Sequence, residues 1–109
     1  MNKTLYDNIF KNMPDKIDEE IIENLIEAGN VRIERIISHG QASPECFWYD
    51  QDENEFVIVL SGYGQIKFED GEIVDMKEGD WLYIPAHKKH RVEQTDKENK
   101  TVWLAVFFK

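Results

Sequence analysis

The sequence predicts an all-β barrel or sandwich preceded by one short helix. Three observations carry this. From Val31 onward, segments with two-residue alternation recur at close spacing, as half-buried strands do. Asp70-Gly71 separates the stretches QIKFE and EIVDM, and a two-residue hairpin turn needs residues that tolerate positive φ at that point. No strand–helix–strand rhythm runs through the 109 residues, which excludes a parallel α/β sheet.

The elements follow in order. Residues 1–13 read as an extended arm with apolar anchors Leu5, Tyr6, Ile9 and Phe10, and Pro14 keeps that arm from joining the next segment. Residues 18–28, DEEIIENLIEA, read as a helix. Ile21, Ile22, Leu25 and Ile26 form one apolar stripe, Asp18 can cap the start, Glu19 and Glu20 suit the positive dipole end, and Gly29-Asn30 is a stop. Residues 1–30 are therefore expected to pack as arm and helix on a barrel of residues 31–109, one domain in all.

In the first strand of the barrel, Val31, Ile33, Arg35, Ile37 and His39 share one face, and Arg32, Glu34, Ile36 and Ser38 share the other. Residues 40–46 form a loop, and strands are predicted over 46–51, 55–61, 64–69, 72–76, 81–84, 90–95 and 101–108. Lys77-Glu78-Gly79-Asp80 is a second turn, and Asp96 to Lys100 a polar loop. Two strands are apolar on both faces: Val57 and Val59 oppose Phe56, Ile58 and Leu60, while Val102, Leu104, Val106 and Phe108 oppose Trp103, Ala105 and Phe107. Such strands are covered twice. The barrel interior is one cover, and the helix or a partner subunit is the other, so a homodimer is expected.

Composition narrows the function classes. Net charge is −9, from 22 acidic and 13 basic residues, so the chain repels phosphate backbones and nucleic acid is not an expected partner. No apolar stretch approaches the roughly 20 residues of a membrane span, and Met1 to Phe10 lacks the apolar core of a signal peptide. A cytoplasmic protein without a membrane partner is expected. The one cysteine, Cys46, excludes an intrachain disulfide and reads as a passive thiol. Trp48, Trp81, Tyr83 and Trp103 are expected in the core. The run Asp50 to Glu55 lacks the glycine and closing glutamate of a calcium loop, and reads as a solvated turn ending in one inward carboxylate.

Glu55 is followed by six residues and Gly62, and after sixteen intervening residues Gly79 is followed by five residues, Pro85, His87 and His90. This pair of motifs resembles the two signatures of the cupin superfamily, over about Val31 to Phe108. The resemblance implies a double-stranded β-helix, or jelly-roll barrel, with a central pocket, often dimeric. The sequence departs from the pattern in three places. Tyr49 and Gln51 stand where the first motif has His-x-His, His87 stands where the second has Gly, and Gln94 holds the closing Asn position.

Position by position, the resemblance brings Tyr49, Gln51, Glu55 and His90 into the barrel. A divalent metal (Zn, Fe, Mn or Ni) held by Gln51, Glu55 and His90 is one reading of that set. Metal-free proton transfer, with His90 as base and Tyr49 as acid, is a second. A non-catalytic pocket for a small polar molecule is a third. Arg35 and His39 are expected to line the pocket, Arg35 gripping a carboxylate or phosphate, with His87 at the rim.

Overall fold

The computed structural model describes residues 4–109, so Met1 to Lys3 of the predicted arm lie outside the described residues. Among the described residues there are eight strands: β1 (Ile21–Ala28), β2 (Val31–Ser38), β3 (Asn54–Ser61), β4 (Tyr63–Phe68), β5 (Ile73–Lys77), β6 (Trp81–Ile84), β7 (His90–Thr95) and β8 (Thr101–Phe108). They form a five-stranded sheet in the order β1-β2-β8-β3-β6, and a three-stranded sheet in the order β5-β4-β7. Every pairing is antiparallel. Among the described residues no helix is long and apolar enough to cross a membrane.

The predicted helix over 18–28 is a strand. β1 pairs with β2 from Ile21↔Ile37 to Ala28↔Val31, and a bulge between Asn24 and Ile26 breaks its alternation. That bulge explains the misreading. An extra residue shifts the phase of a two-residue pattern, so isoleucines that alternate on either side of it mimic a helical stripe. Isoleucine is also β-branched and suits a pleated surface. The strand predicted over 46–51 reduces to one bridge, Tyr49↔His90. The other strands lie where alternation puts them.

The core fills the space between the sheets. Val57, Val59, Trp103, Ala105 and Phe107 of the larger sheet meet Ile66, Phe68 and Met76 of the smaller one, with Ile84. Trp103 lies against Gly64, where a Cβ would overlap its indole ring. Its Nε1 donates to the buried Ser38 Oγ at 3.2 Å. Trp81 and Tyr83, expected inside, instead lie on the outer face, 63% and 47% exposed. They alternate with Leu82 and Ile84, and it is those aliphatic residues that turn inward.

The N-terminal arm crosses that outer face and is held by its backbone. Arg35 donates to the carbonyls of Ile9 and Lys11 at 3.0 and 2.7 Å, and to Glu23 at 2.8 Å. Of the expected anchors, Leu5 and Tyr6 are 82% and 88% exposed and Phe10 is half-exposed. The arm is thus fixed by peptide groups, with Leu5 and Tyr6 left in solvent and Ile9 partly buried.

Replacing Gly64 with alanine is expected to destabilise the fold by about 1–3 kcal/mol, the usual cost of overpacking. The added methyl must displace the Trp103 ring. Urea unfolding checks this, with near-UV circular dichroism reporting the indole environment.

Candidate functional site

Between the sheets lies a cavity of about 260 Å³. Its apolar wall includes Ile36, Val57, Ile66, Val92, Trp103 and Phe107, and its polar wall Glu20, Arg32, Glu34, Tyr49, Gln51, Glu55 and His90. The inward positions of β2 and β3 supply Arg32, Glu34 and Glu55. β7 supplies His90, and the segment leading into β1 supplies Glu20.

Local structure places each group. Tyr49 and His90 exchange backbone hydrogen bonds at 2.7 and 3.1 Å, which fixes Tyr49 opposite His90 although no strand forms around it. Their rings stack, with centroids 5.5 Å apart. The turn before β3 is tied to the segment after β6: Asn54 Oδ1 accepts from the Ala86 N–H at 3.0 Å, and the His87 N–H donates to the Gln51 carbonyl at 2.8 Å. His87 has φ +65°. The left-handed backbone that the second motif normally assigns to glycine is kept here by a histidine, at a strain of order 1–3 kcal/mol. Its exposed ring lies 2.8 Å from Asp50 and 3.4 Å from Asp52.

His90 and Glu55 are both buried. His90 Nδ1 lies 2.9 Å from the Lys88 carbonyl, which can only accept, so Nδ1 carries a proton. Nε2 then faces Glu55 Oε1 at 3.6 Å. These two atoms, a ring nitrogen and a carboxylate oxygen, need a proton or a donor group between them. Gln51 Nε2 donates to the same Glu55 oxygen at 3.1 Å. Burial, and then the nearby charges of Glu20 and Glu55, hold the Tyr49 phenol above its ordinary pKa, so it stays a neutral donor. Burial also raises the Glu20 carboxyl, an effect partly offset by the Ser38 hydroxyl 3.4 Å away.

The donor chemistry can be compared with that of a divalent centre, which uses three or more protein ligands. Glu55 and His90 are two strong ligands, held by neighbours of the kind that orient metal ligands. Gln51 turns its NH2 toward Glu55, and Tyr49 is biased away from phenolate. Among the described residues no three His, Cys, Asp or Glu side chains gather as a metal cage. The set falls short of a resident divalent ion.

A β-helix of two antiparallel sheets around a polar-ended cavity is the cupin architecture, and the chain belongs to the cupin family: the family model for the cupin domain matches residues 34–107. A crystal structure of a putative mannose-6-phosphate isomerase from Ralstonia eutropha JMP134 is 46% identical, covers 95% of this chain and 97% of its own, and superposes with a TM-score of 0.92. A cupin superfamily protein from Desulfitobacterium hafniense DCB-2 is 18% identical over 88% of this chain and 83% of its own, with a TM-score of 0.72. A cupin from Methanocaldococcus jannaschii with a double-stranded β-helix fold is 20% identical over 89% and 86%, with a TM-score of 0.69. These last two show the shared fold alone. No protein with a curated description matches.

Of the residues singled out from sequence, Tyr49, Gln51, Glu55 and His90 come together around the cavity. Arg35, His39 and His87 do not line it. Arg35 sits on the outer face of β2 beneath the arm, His39 follows β2 into the loop, and His87 clasps the aspartates outside. The face of β2 was assigned from its apolar residues, but this cavity has a polar wall, so the more polar face of β2 is the inward one. That face brings in Arg32 and Glu34, which sequence reasoning missed. Glu20 was missed because its segment read as an external helix.

Replacing Glu20 with glutamine is expected to lower the Tyr49 pKa, because it removes one of the charges that raise it. The mutation should also change the pH dependence of stability. A carboxyl whose folded pKa is raised keeps its proton longer in the folded state, so its contribution weakens as pH climbs from the unfolded value through the folded one. The Glu20→Gln protein should lose that decline above pH 4.5. Tyrosine-resolved NMR titration and urea midpoints against pH check the two effects.

Proposed function

We propose that this cupin binds one small polar molecule in the barrel cavity and moves a proton on it without a resident metal. His90 acts as base through Nε2, the neutral Tyr49 phenol as acid, and the Lys88 carbonyl at Nδ1 holds the imidazole in register beside Glu55. The observation that carries this is the convergence of Tyr49, Gln51, Glu55 and His90 on one cavity, with His90 Nδ1 fixed on a backbone carbonyl and Nε2 turned to Glu55. General acid–base catalysis needs a base oriented by a second group and held near a dry substrate site. The isomerase name of the 46%-identical Ralstonia protein supports the same class of proton transfer. The metal reading has less support, because it rests on two strong donors.

Two measurements test this. Protein without an affinity tag, grown with added Fe, Mn, Ni and Zn, is expected to carry metal far below one ion per chain by elemental analysis, and a content near one overturns the metal-free reading. In deuterated water, small α-hydroxy carbonyl compounds are expected to exchange their C–H protons with the wild type. The rate should fall roughly 100–10,000-fold in His90→Gln. An unchanged rate removes His90 as the base, and tight binding with no exchange by the wild type makes the cavity a sensing site.

We also propose that a second copy of the chain covers the outer face of the larger sheet. Trp81 stacks on Phe56 and Tyr83 on Phe108 across that face. The arm fixed on the same face by Arg35 carries the exposed Leu5 and Tyr6, so one chain offers both apolar partners of a self-complementary contact. Light scattering is expected to give a dimer for the wild type and a monomer for Trp81→Glu. A wild-type monomer at micromolar concentration would refute it.

A further inference from the structure

We propose that the cavity selects a ligand with an apolar body and a hydrogen-bond-donating head, uncharged or cationic, and excludes anionic heads such as phosphate and carboxylate. This rests on the reading that the cavity is a ligand site. Glu20, Glu34 and Glu55 all line it, and an ionised carboxylate only accepts hydrogen bonds. The opposing cation is Arg32, which is already paired with two carboxylates. Its Nε bonds Glu34 at 3.0 Å, its Nη1 bonds Glu53 at 2.9 Å, and its guanidinium lies 4.3 Å from the centre of the Phe107 ring. Arg35, the arginine that sequence reading would aim at an anion, is spent outside on the arm and Glu23.

Glu20 is the group the ligand answers. Among the described residues no Lys, Arg or His side chain pairs with it, and its side-chain partner is the Ser38 hydroxyl at 3.4 Å. Burial penalises its charge, and no protein cation repays that cost. An ammonium, amide or hydroxyl donor at the same spot would. A phosphate or carboxylate there would set like charges side by side, and such juxtaposition disfavours binding. The remaining wall, formed by Ile36, Val57, Ile66, Val92 and Phe107, has no polar side-chain atoms and fits a hydrocarbon body.

The test uses the full chain and three probes that share one body: benzylamine, benzyl alcohol and benzyl phosphate. The readout is the Trp103 indole N–H resonance, because Trp103 lines the cavity and its Nε1 bonds Ser38 next to Glu20. Saturable shifts are expected with the amine and the alcohol, and binding of the phosphate at least about tenfold weaker than the amine. Glu20→Gln is expected to weaken the amine about tenfold and leave the alcohol within about twofold. Should that variant fail to fold, the wild-type comparison of the three probes decides alone. Phosphate binding as tight as amine binding overturns the head-group assignment and leaves the cavity reading intact. No shift with any probe overturns both.

Discussion

The structure turns on where a buried indole finds its hydrogen-bond acceptor. Trp103, on β8 in the middle of the larger sheet, reaches toward the smaller sheet and rests on Gly64. Its N–H is sealed from water, and leaving such a donor unpaired costs about 1–3 kcal/mol. Ser38 of β2 supplies the acceptor, and its own hydroxyl donates to Glu20. One relay thus ties β8 to β2 and to the segment entering β1. The same indole forms part of the cavity wall. Packing at the centre of the barrel and the position of an acid at the cavity are therefore tied together by one side chain.

Most of the fold was legible because alternation survives wherever one face is buried. β2, β4, β6, β7 and β8 fall within a residue or so of the segments read from sequence. Legibility failed where a second constraint interfered. β1 carries a bulge, and its exposed Leu25 and Ile26 sit on an edge strand, so pairing with β2 decides its structure and local helical preference does not. The site was legible where the chain's motifs are spaced as in cupins, at Tyr49, Gln51, Glu55 and His90. It was hidden where inward residues are charged. Arg32, Glu34 and Glu20 satisfy one another or neighbouring groups inside the barrel, and a sequence records no sign of such partners.

The motif positions that depart from the family pattern behave in two ways. His87 preserves a backbone requirement, because its φ of +65° keeps the turn that presents the Gln51 carbonyl and its neighbours. Tyr49 and Gln51 preserve a location and change its chemistry: a phenol and an amide stand at the places of two imidazoles. The barrel keeps its geometry while two groups at its polar end are a phenol and an amide.

β1 ends the larger sheet with an irregular edge. Its bulge, the Glu23 that Arg35 draws aside, and the exposed Glu27 give an incoming strand no regular ladder to extend. Growth by adding strands is blocked at that end, while the broad face beside it stays apolar. A contact made through the same patch on two molecules uses that patch up. That edge is therefore guarded against strand addition, a safeguard that matters for a small β-protein with exposed aromatic side chains such as Trp81 and Tyr83.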